Sequence, residues 1–193
     1  MRAMKSRNAV SPRHIVFVRH AKPLIDENVP SALWKLSPEG AKAATRLAER
    51  LREFRFSKIA SSPEAKAIGT AQAIASRLGL AVEIDEGLAE HSRKTIGFMS
   101  RQEIEAAIAD LFANPDSLIF GDETANDCFG RFQHALDRLT ARSTGDVIAV
   151  THGTILSIYI SRTLGIDAMP FWRGLGLPCA VVLCDGQMRI IEP

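Results

Sequence analysis

Two histidines stand where apolar runs end. Ile15-Val16-Phe17-Val18 leads into Arg19-His20, and Val147-Ile148-Ala149-Val150 leads into Thr151-His152-Gly153. Short apolar runs rich in β-branched residues, bounded by polar ones, read as buried strands. A strand that ends in Arg-His puts a permanent cation and a titratable imidazole at a sheet edge. In open α/β sheets that edge, outside the carboxyl ends of the strands, is where ligands bind. Two strands that each deliver a histidine to one rim describe a pocket for an anion, with phosphate the leading candidate. His152 also precedes an apolar stretch that reads as a helix. The first N–H groups of a helix and its positive dipole end suit an anion, and Gly153 lets the backbone approach closely. Gly153, Thr154 and Lys22 are therefore expected to bind substrate.

The elements that must position these residues follow from periodicity. Strand 15–18 runs into a polar loop, 21–36, with Pro23, Pro30 and Trp34. Ser37-Pro38 opens a helix, serine as cap and proline at the first position, with Ala44, Leu47, Ala48 and Leu51 on its buried face. Strand 58–61 follows, and Ser62-Pro63 repeats the cap-and-proline start of a helix whose stripe is Ala67, Ala71, Ile74 and Leu78, closed near Gly79. An edge strand is expected over 81–84, a loop over 85–100, helices over 101–112 and 122–141, strand 147–150 and helix 153–164. Trp34 and the pair Trp172-Arg173 fall in loops. Ala180–Leu183 and Met188–Ile191 flank Asp185-Gly186-Gln187, a hairpin signal. The alternation predicts an α/β three-layer sandwich: a mostly parallel central sheet, helices on both faces, and an antiparallel edge hairpin near the C-terminus.

The 193 residues fit one domain, 46% hydrophobic and 24% charged, with a formal charge of +2. Residues 1–12 read as a flexible basic tail and 13–193 as the domain. The charge is small and spread along the chain, with no RNA-binding or helix-turn-helix signature, so no nucleic-acid partner is expected. No apolar stretch approaches the ~20 residues of a membrane span, and the basic start lacks the apolar core of a secretory signal. Three cysteines (Cys128, Cys179, Cys184) without a C-x-x-C spacing read as reduced thiols, which places the protein in the cytoplasm. Glu90-His91 are metal-ligand types but lack the H-E-x-x-H spacing, so no metal site and no cofactor are expected.

Five blocks occur in a fixed order: Arg19-His20-Ala21; Leu36-Ser37-Pro38-Glu39-Gly40; Ser61-Ser62-Pro63 with Ala67 and Thr70-Ala71; Glu90 with Gly121-Asp122-Glu123-Thr124; and His152-Gly153. In this order they resemble the histidine phosphatase (phosphoglycerate mutase-like) superfamily over about residues 13–184. The resemblance implies an α/β sandwich, a phosphohistidine intermediate and no metal requirement. It makes His20 the nucleophile, which suits a group whose ordinary pKa of about 6.5 leaves it largely neutral at pH 7. It makes Arg19 a phosphoryl-binding donor fork, His152 the second active-site histidine, and Glu90 a general acid if burial raises its pKa.

Three positions depart from the pattern. Lys66 stands where the family has arginine, which keeps the charge but loses the bidentate fork. It is expected to neutralise phosphate as a point charge, with Lys22, Lys35, Arg93 or Lys94 as other sources of charge. Pro23 and Asp26 stand where the family often has Thr or Ser and then Asn, so the first-loop phosphate contacts fall to backbone N–H groups. Glu123 and Arg131 read as a structural tether. The activity expected is hydrolysis of a phosphorylated small molecule. A phosphoglycerate-type mutase and a phosphate-binding module with degraded catalysis are the alternatives, and the compact 85–121 region favours the hydrolase over the mutase. The loops at 22–36, 86–100 and 166–178 would shape the leaving-group side.

Overall fold

The computed structural model describes residues 14–141 and 143–193; the expected basic tail lies outside them. The chain runs β1 (Ile15–Arg19), α1 (Pro38–Arg50), β2 (Phe56–Ser61), α2 (Ala65–Leu78), β3 (Val82–Ile84), α3 (Arg101–Ala113), α4 (Ala125–Ala141), β4 (Asp146–Thr151), α5 (Gly153–Leu164), α6 (Ala168–Gly174), β5 (Cys179–Cys184) and β6 (Gln187–Ile191). The strands form one sheet in the order β3-β2-β4-β1-β5-β6. Strands β3, β2, β4 and β1 are mutually parallel, while β5 runs antiparallel to β1 and β6 antiparallel to β5. The Asp185-Gly186 turn joins β5 to β6 with positive φ at both residues, 50° and 75°, as a two-residue type I′ hairpin requires.

Side chains alternate across the central strands and build two cores. Phe17, Val147 and Ala149 face one core with Phe132 and Leu136 of α4 and Ile155 and Leu156 of α5. Val16, Val18, Ile148 and Val150 face the other, with Leu47 and Ala48 of α1 and Ile74 of α2. The near-continuous apolar runs of β1 and β4 thus reflect burial on both faces. The helix after β1 covers one face and the helix after β4 covers the other. These two strands are neighbours, paired Ile15 with Val147 through Arg19 with Thr151. Adjacent strands whose connections leave to opposite faces open a crevice at their carboxyl ends, and His20 and His152 are the next residues on each.

Local signals explain most helix ends. The Ser37 hydroxyl accepts from Gly40 N at 2.9 Å, with Pro38 in the first turn. Ser100 and Glu103 form a full capping box on α3. Three expectations need correction. Helix α2 starts at Ala65 with Glu64 as cap residue, because Ser62 extends the end of β2, its amide donating to Val150 O at 2.9 Å. Helix α4 starts at Ala125, and residues 121–124 remain a loop. Trp172 and Arg173 lie in α6, capped by the Asp167 carboxylate on Met169 N, and not in a loop. The 21–36 segment is also more ordered than a plain loop: Leu24 N donates to Lys35 O and Ser37 N to Lys22 O, and a 3-10 turn covers Ser31–Leu33.

Candidate active site

Three neighbouring strands end in the crevice. From β1 comes His20, its amide on Thr151 O at 2.9 Å. From β4 comes His152, and from β2, on the far side of β4, comes Ser62. The two imidazole centroids stand 5.0 Å apart, edge to face. His20 Nδ1 lies 2.9 Å from the carbonyl of Ala21. A carbonyl only accepts, so Nδ1 carries the hydrogen and the lone pair of a neutral ring sits on Nε2. Burial, reinforced by His152, Lys66 and Arg19, keeps the His20 pKa well below its ordinary value against the pull of the Ala21 carbonyl. His20 is therefore neutral across the physiological range.

The second ring is fully enclosed. His152 Nε2 is 2.7 Å from Ser62 Oγ, and its buried Nδ1 has no partner. Burial lowers its pKa to about 4, with Glu64 and Glu90 pulling it up and Lys66 and Arg93 pushing it down. Arg19 closes the third side. Its Nη1 donates to Leu175 O at 2.5 Å, which aims the guanidinium, while its buried Nε has no partner. Gly153 makes room for it, since a Cβ there would stand 3.1 Å from Nε and 3.2 Å from Cζ. The missing side chain of Gly153 thus makes room for Arg19.

Lys66 is brought into the same crevice. It is buried, its Nζ donates to Ser31 O at 2.7 Å and to the Glu64 carboxylate, and it is among the charges that weigh on His20. Glu64 was not foreseen. Its Oε1 accepts from Glu90 N at 3.0 Å and lies 3.4 Å from His152 Nε2. Burial would raise this carboxyl, but His152 and Lys66 outweigh it and hold the pKa below the usual range.

Glu90 overturns two expectations. Its oxygens accept from Thr154 N at 3.1 Å and Ile155 N at 3.0 Å, so the start of α5 is capped by this carboxylate. The amide of Thr154 is accordingly not free for a substrate anion, although its buried hydroxyl lacks a partner. Nor is the Glu90 pKa raised. Burial works in that direction, but Arg93, His152 and the amides of His91 and Thr154 prevail and hold it far below the usual carboxylate range. Arg93 Nη2 sits 3.5 Å from Glu90, and its guanidinium lies over the Phe120 ring.

The Glu90 segment is braced from α4. Arg131 donates to the carbonyls of Gly87, Ala89 and Glu90 and pairs with Glu123 at 2.6 Å. Glu123 in turn accepts Ser92 N at 2.8 Å. Gly121 must be glycine, for its φ is +82° and a Cβ would collide with Ser92 O at 2.2 Å. Lys22, Lys35 and Lys94 are exposed. Lys22 acts on Glu39 at the start of α1, while Lys66 and Arg19 are the permanent charges that weigh on His20. The Asp26 carboxylate accepts from Asn28 in an exposed local turn. A hollow of about 500 Å³ between α3 and α6, lined by Arg101, Glu105 and Arg173, holds none of these groups. Among the described residues no group of three or more His, Cys, Asp or Glu side chains could hold a metal ion, and no helix is long and apolar enough to cross a membrane.

Two imidazoles, a guanidinium with an unused buried donor and a lysine stand together at a switch point, a set of groups whose chemistry suits an oxyanion. The model of the histidine phosphatase superfamily, branch 1, matches residues 15–187.

The chain belongs to the histidine phosphatase superfamily.

Solved structures share its fold. A mycobacterial glucosyl-3-phosphoglycerate phosphatase in complex with VO3 superposes with a TM-score of 0.70 at 24% identity, covering 94% of this chain and 97% of that one. A phosphoserine phosphatase from Entamoeba histolytica, in complex with 3-phosphoglyceric acid, superposes at 0.68 and 20% identity, covering 93% and 95%. A protein described as mycobacterial hydrolase 1 gives 0.70 and 23%, covering 94% and 96%. No curated protein sequence matches significantly. In this histidine phosphatase superfamily member, His20 and His152 follow β1 and β4, and the Glu64–Lys66 pair lies on the segment after β2.

Proposed function

We propose that this histidine phosphatase superfamily member hydrolyses phosphomonoesters of small metabolites through transient phosphorylation of His20 Nε2. The bond from His20 Nδ1 to the Ala21 carbonyl carries this reading, because it leaves the other nitrogen with its lone pair directed away from the backbone. In the first step the N–P bond forms as the P–O bond to the leaving group breaks. The unused donors of Arg19 and the ammonium of Lys66 take the charge that spreads over the equatorial oxygens, where fixed donors lower the barrier most. In the second step water attacks phosphorus, the P–N bond breaks, and phosphate leaves.

The departing oxygen needs a proton, and Glu90 rests as a carboxylate. A phosphate dianion arriving in the same crevice makes a second negative charge costly, so Glu90 takes up a proton as substrate binds. A monoester whose second pKa is near 6 can deliver that proton itself. Glu90 then protonates the leaving oxygen and, as carboxylate, receives the proton of the attacking water. No metal enters this scheme. The buried thiols of Cys128 and Cys179 suit a reducing compartment, and we place the protein in the cytoplasm.

The test is product analysis on a panel of phosphorylated metabolites that includes 3-phosphoglycerate and phosphoserine. Free inorganic phosphate released by the wild type and abolished in His20→Ala, with the fold kept, supports the reading. Phosphate moved within the substrate, or turnover that survives in His20→Ala, would contradict it.

A further inference from the structure

Glu64 is a largely enclosed carboxylate in the crevice whose partners among the described residues all belong to the site. It does not cap its own helix, since its side chain takes none of the α2 amides. One oxygen accepts from Lys66 Nζ. The other accepts from the amide of Glu90 and approaches His152 Nε2 at 3.4 Å. A second path leads to the same ring: the Glu64 amide donates to Ser62 Oγ at 3.2 Å, and Ser62 Oγ is 2.7 Å from His152 Nε2. The side chains of Lys66 and Glu64 are only 6% and 11% exposed. An ion pair so far from water adds little to stability, so its placement calls for another reason.

We propose that Glu64 is a positioning residue for phosphoryl transfer, its carboxylate fixing the Lys66 ammonium and the His152 imidazole beside His20. The inference rests on the phosphatase reading above. A lysine on four flexible carbons is a poorer phosphate ligand than arginine because its charge has no fixed direction. Two anchors, Glu64 and Ser31 O, remove that freedom and leave the third ammonium donor aimed by the first two. Toward His152 the carboxylate acts as the acid does behind a catalytic histidine, orienting the ring and favouring its protonated form when the substrate's charge arrives. The other charged groups facing His152 are Glu90, which also favours the proton, and Lys66 and Arg93, which oppose it; the His20 ring stands 5.0 Å away.

The test compares the wild type with Glu64→Gln, which keeps the shape and removes the charge. Binding of inorganic phosphate is followed by calorimetry from pH 4 to 8, and kcat and KM for p-nitrophenyl phosphate over the same range. The inference expects the pH above which phosphate affinity and kcat decline to fall by about one unit or more in Glu64→Gln, and kcat to drop at least tenfold with KM within threefold. Glu64→Asp, which keeps the charge, should hold that limb near its wild-type position even where kcat is reduced. It serves in place of Glu64→Gln if the amide variant does not fold, and a displaced limb in the aspartate would then count against the inference. An unmoved limb in Glu64→Gln overturns it, whether or not kcat falls, because a merely structural residue would lower activity without moving the limb. Failure of the phosphatase reading looks different: the wild type itself would release no phosphate, while phosphate binding in the two proteins would still test Glu64.

Discussion

Replacing Gly153 by alanine separates the site's geometry from the fold's stability. Gly153 opens α5, and a Cβ there would stand 3.1 Å from Arg19 Nε and 3.2 Å from Cζ and Nη2. That is a few tenths of an ångström too close, and the guanidinium cannot swing aside freely, because Nη1 is held on Leu175 O at 2.5 Å. Overpacking of this kind costs about 1–3 kcal/mol. Alanine returns up to about 1 kcal/mol of helix propensity. The balance is a loss of at most about 3 kcal/mol, and at about 2–4 °C per kcal/mol for a chain of this size Tm should fall by no more than about 12 °C. Activity should suffer more. A donor aimed at developing charge is worth roughly 3–4 kcal/mol, and displacing it by a fraction of an ångström forfeits part of that, so kcat/KM should drop about tenfold or more. Vanadate, which resembles the transferring phosphoryl group, should lose affinity in parallel. Gly130→Ala in α4, where a Cβ meets nothing within 4 Å, is the control: Tm should rise and kinetics should not change. Thermal melts and steady-state kinetics on the three proteins decide the matter. Wild-type kcat/KM in Gly153→Ala would remove Arg19 from the reaction.

Other perturbations probe single contacts. Ser62→Ala leaves the buried Nε2 of His152 without its partner at 2.7 Å, so calorimetry should show a loss of about 1–3 kcal/mol, together with reduced kcat; an unaffected Tm would mean water replaces the hydroxyl. Glu90→Gln should slow alkyl phosphates at least a hundredfold but p-nitrophenyl phosphate, whose leaving group needs no proton, far less; equal losses on both would deny it the acid role. Stability should fall with acid. His152 has its folded pKa lowered to about 4, so the unfolded chain binds the extra proton, and stability is lost from about pH 6.5 downward until the folded pKa is passed. At 1.36 kcal/mol per unit the loss is on the order of 3 kcal/mol by pH 4, and His152→Gln should flatten the curve of Tm against pH; equal slopes in both proteins would place the effect elsewhere.

Strand-borne features were legible in the sequence, and features assembled from several segments were not. Arg19, His20 and His152 could be read because each follows an apolar run, and the run itself fixes the sheet edge where it ends. The hairpin was equally plain from Asp185-Gly186, whereas the Glu123–Arg131 tether was legible only through the resemblance of Gly121–Thr124 with Arg131 to a family block. Ser62-Pro63 misled, because a serine that could cap a helix is here spent on His152, a partner ninety residues away. Glu64 went unseen for a related reason: its role depends on Ser31, Glu90 and His152 meeting it, and nothing local marks it beyond an acid two residues before Lys66. The sign of the Glu90 shift was missed because burial, the effect a sequence suggests, is outweighed by amides of α5 and by Arg93. Helix α6 carries its signal in the Asp167 cap, but Pro170 so close behind reads more readily as a turn.

The central claim is a covalent bond between His20 and phosphorus. Rapid acid-free quenching with a 32P-labelled monoester, followed by peptide mapping under alkaline conditions that preserve phosphohistidine, measures it directly. The account predicts label on the His20 peptide, formed and discharged at rates that match turnover and absent from His20→Ala. Turnover that proceeds with no labelled peptide, or with label on another residue, would contradict it.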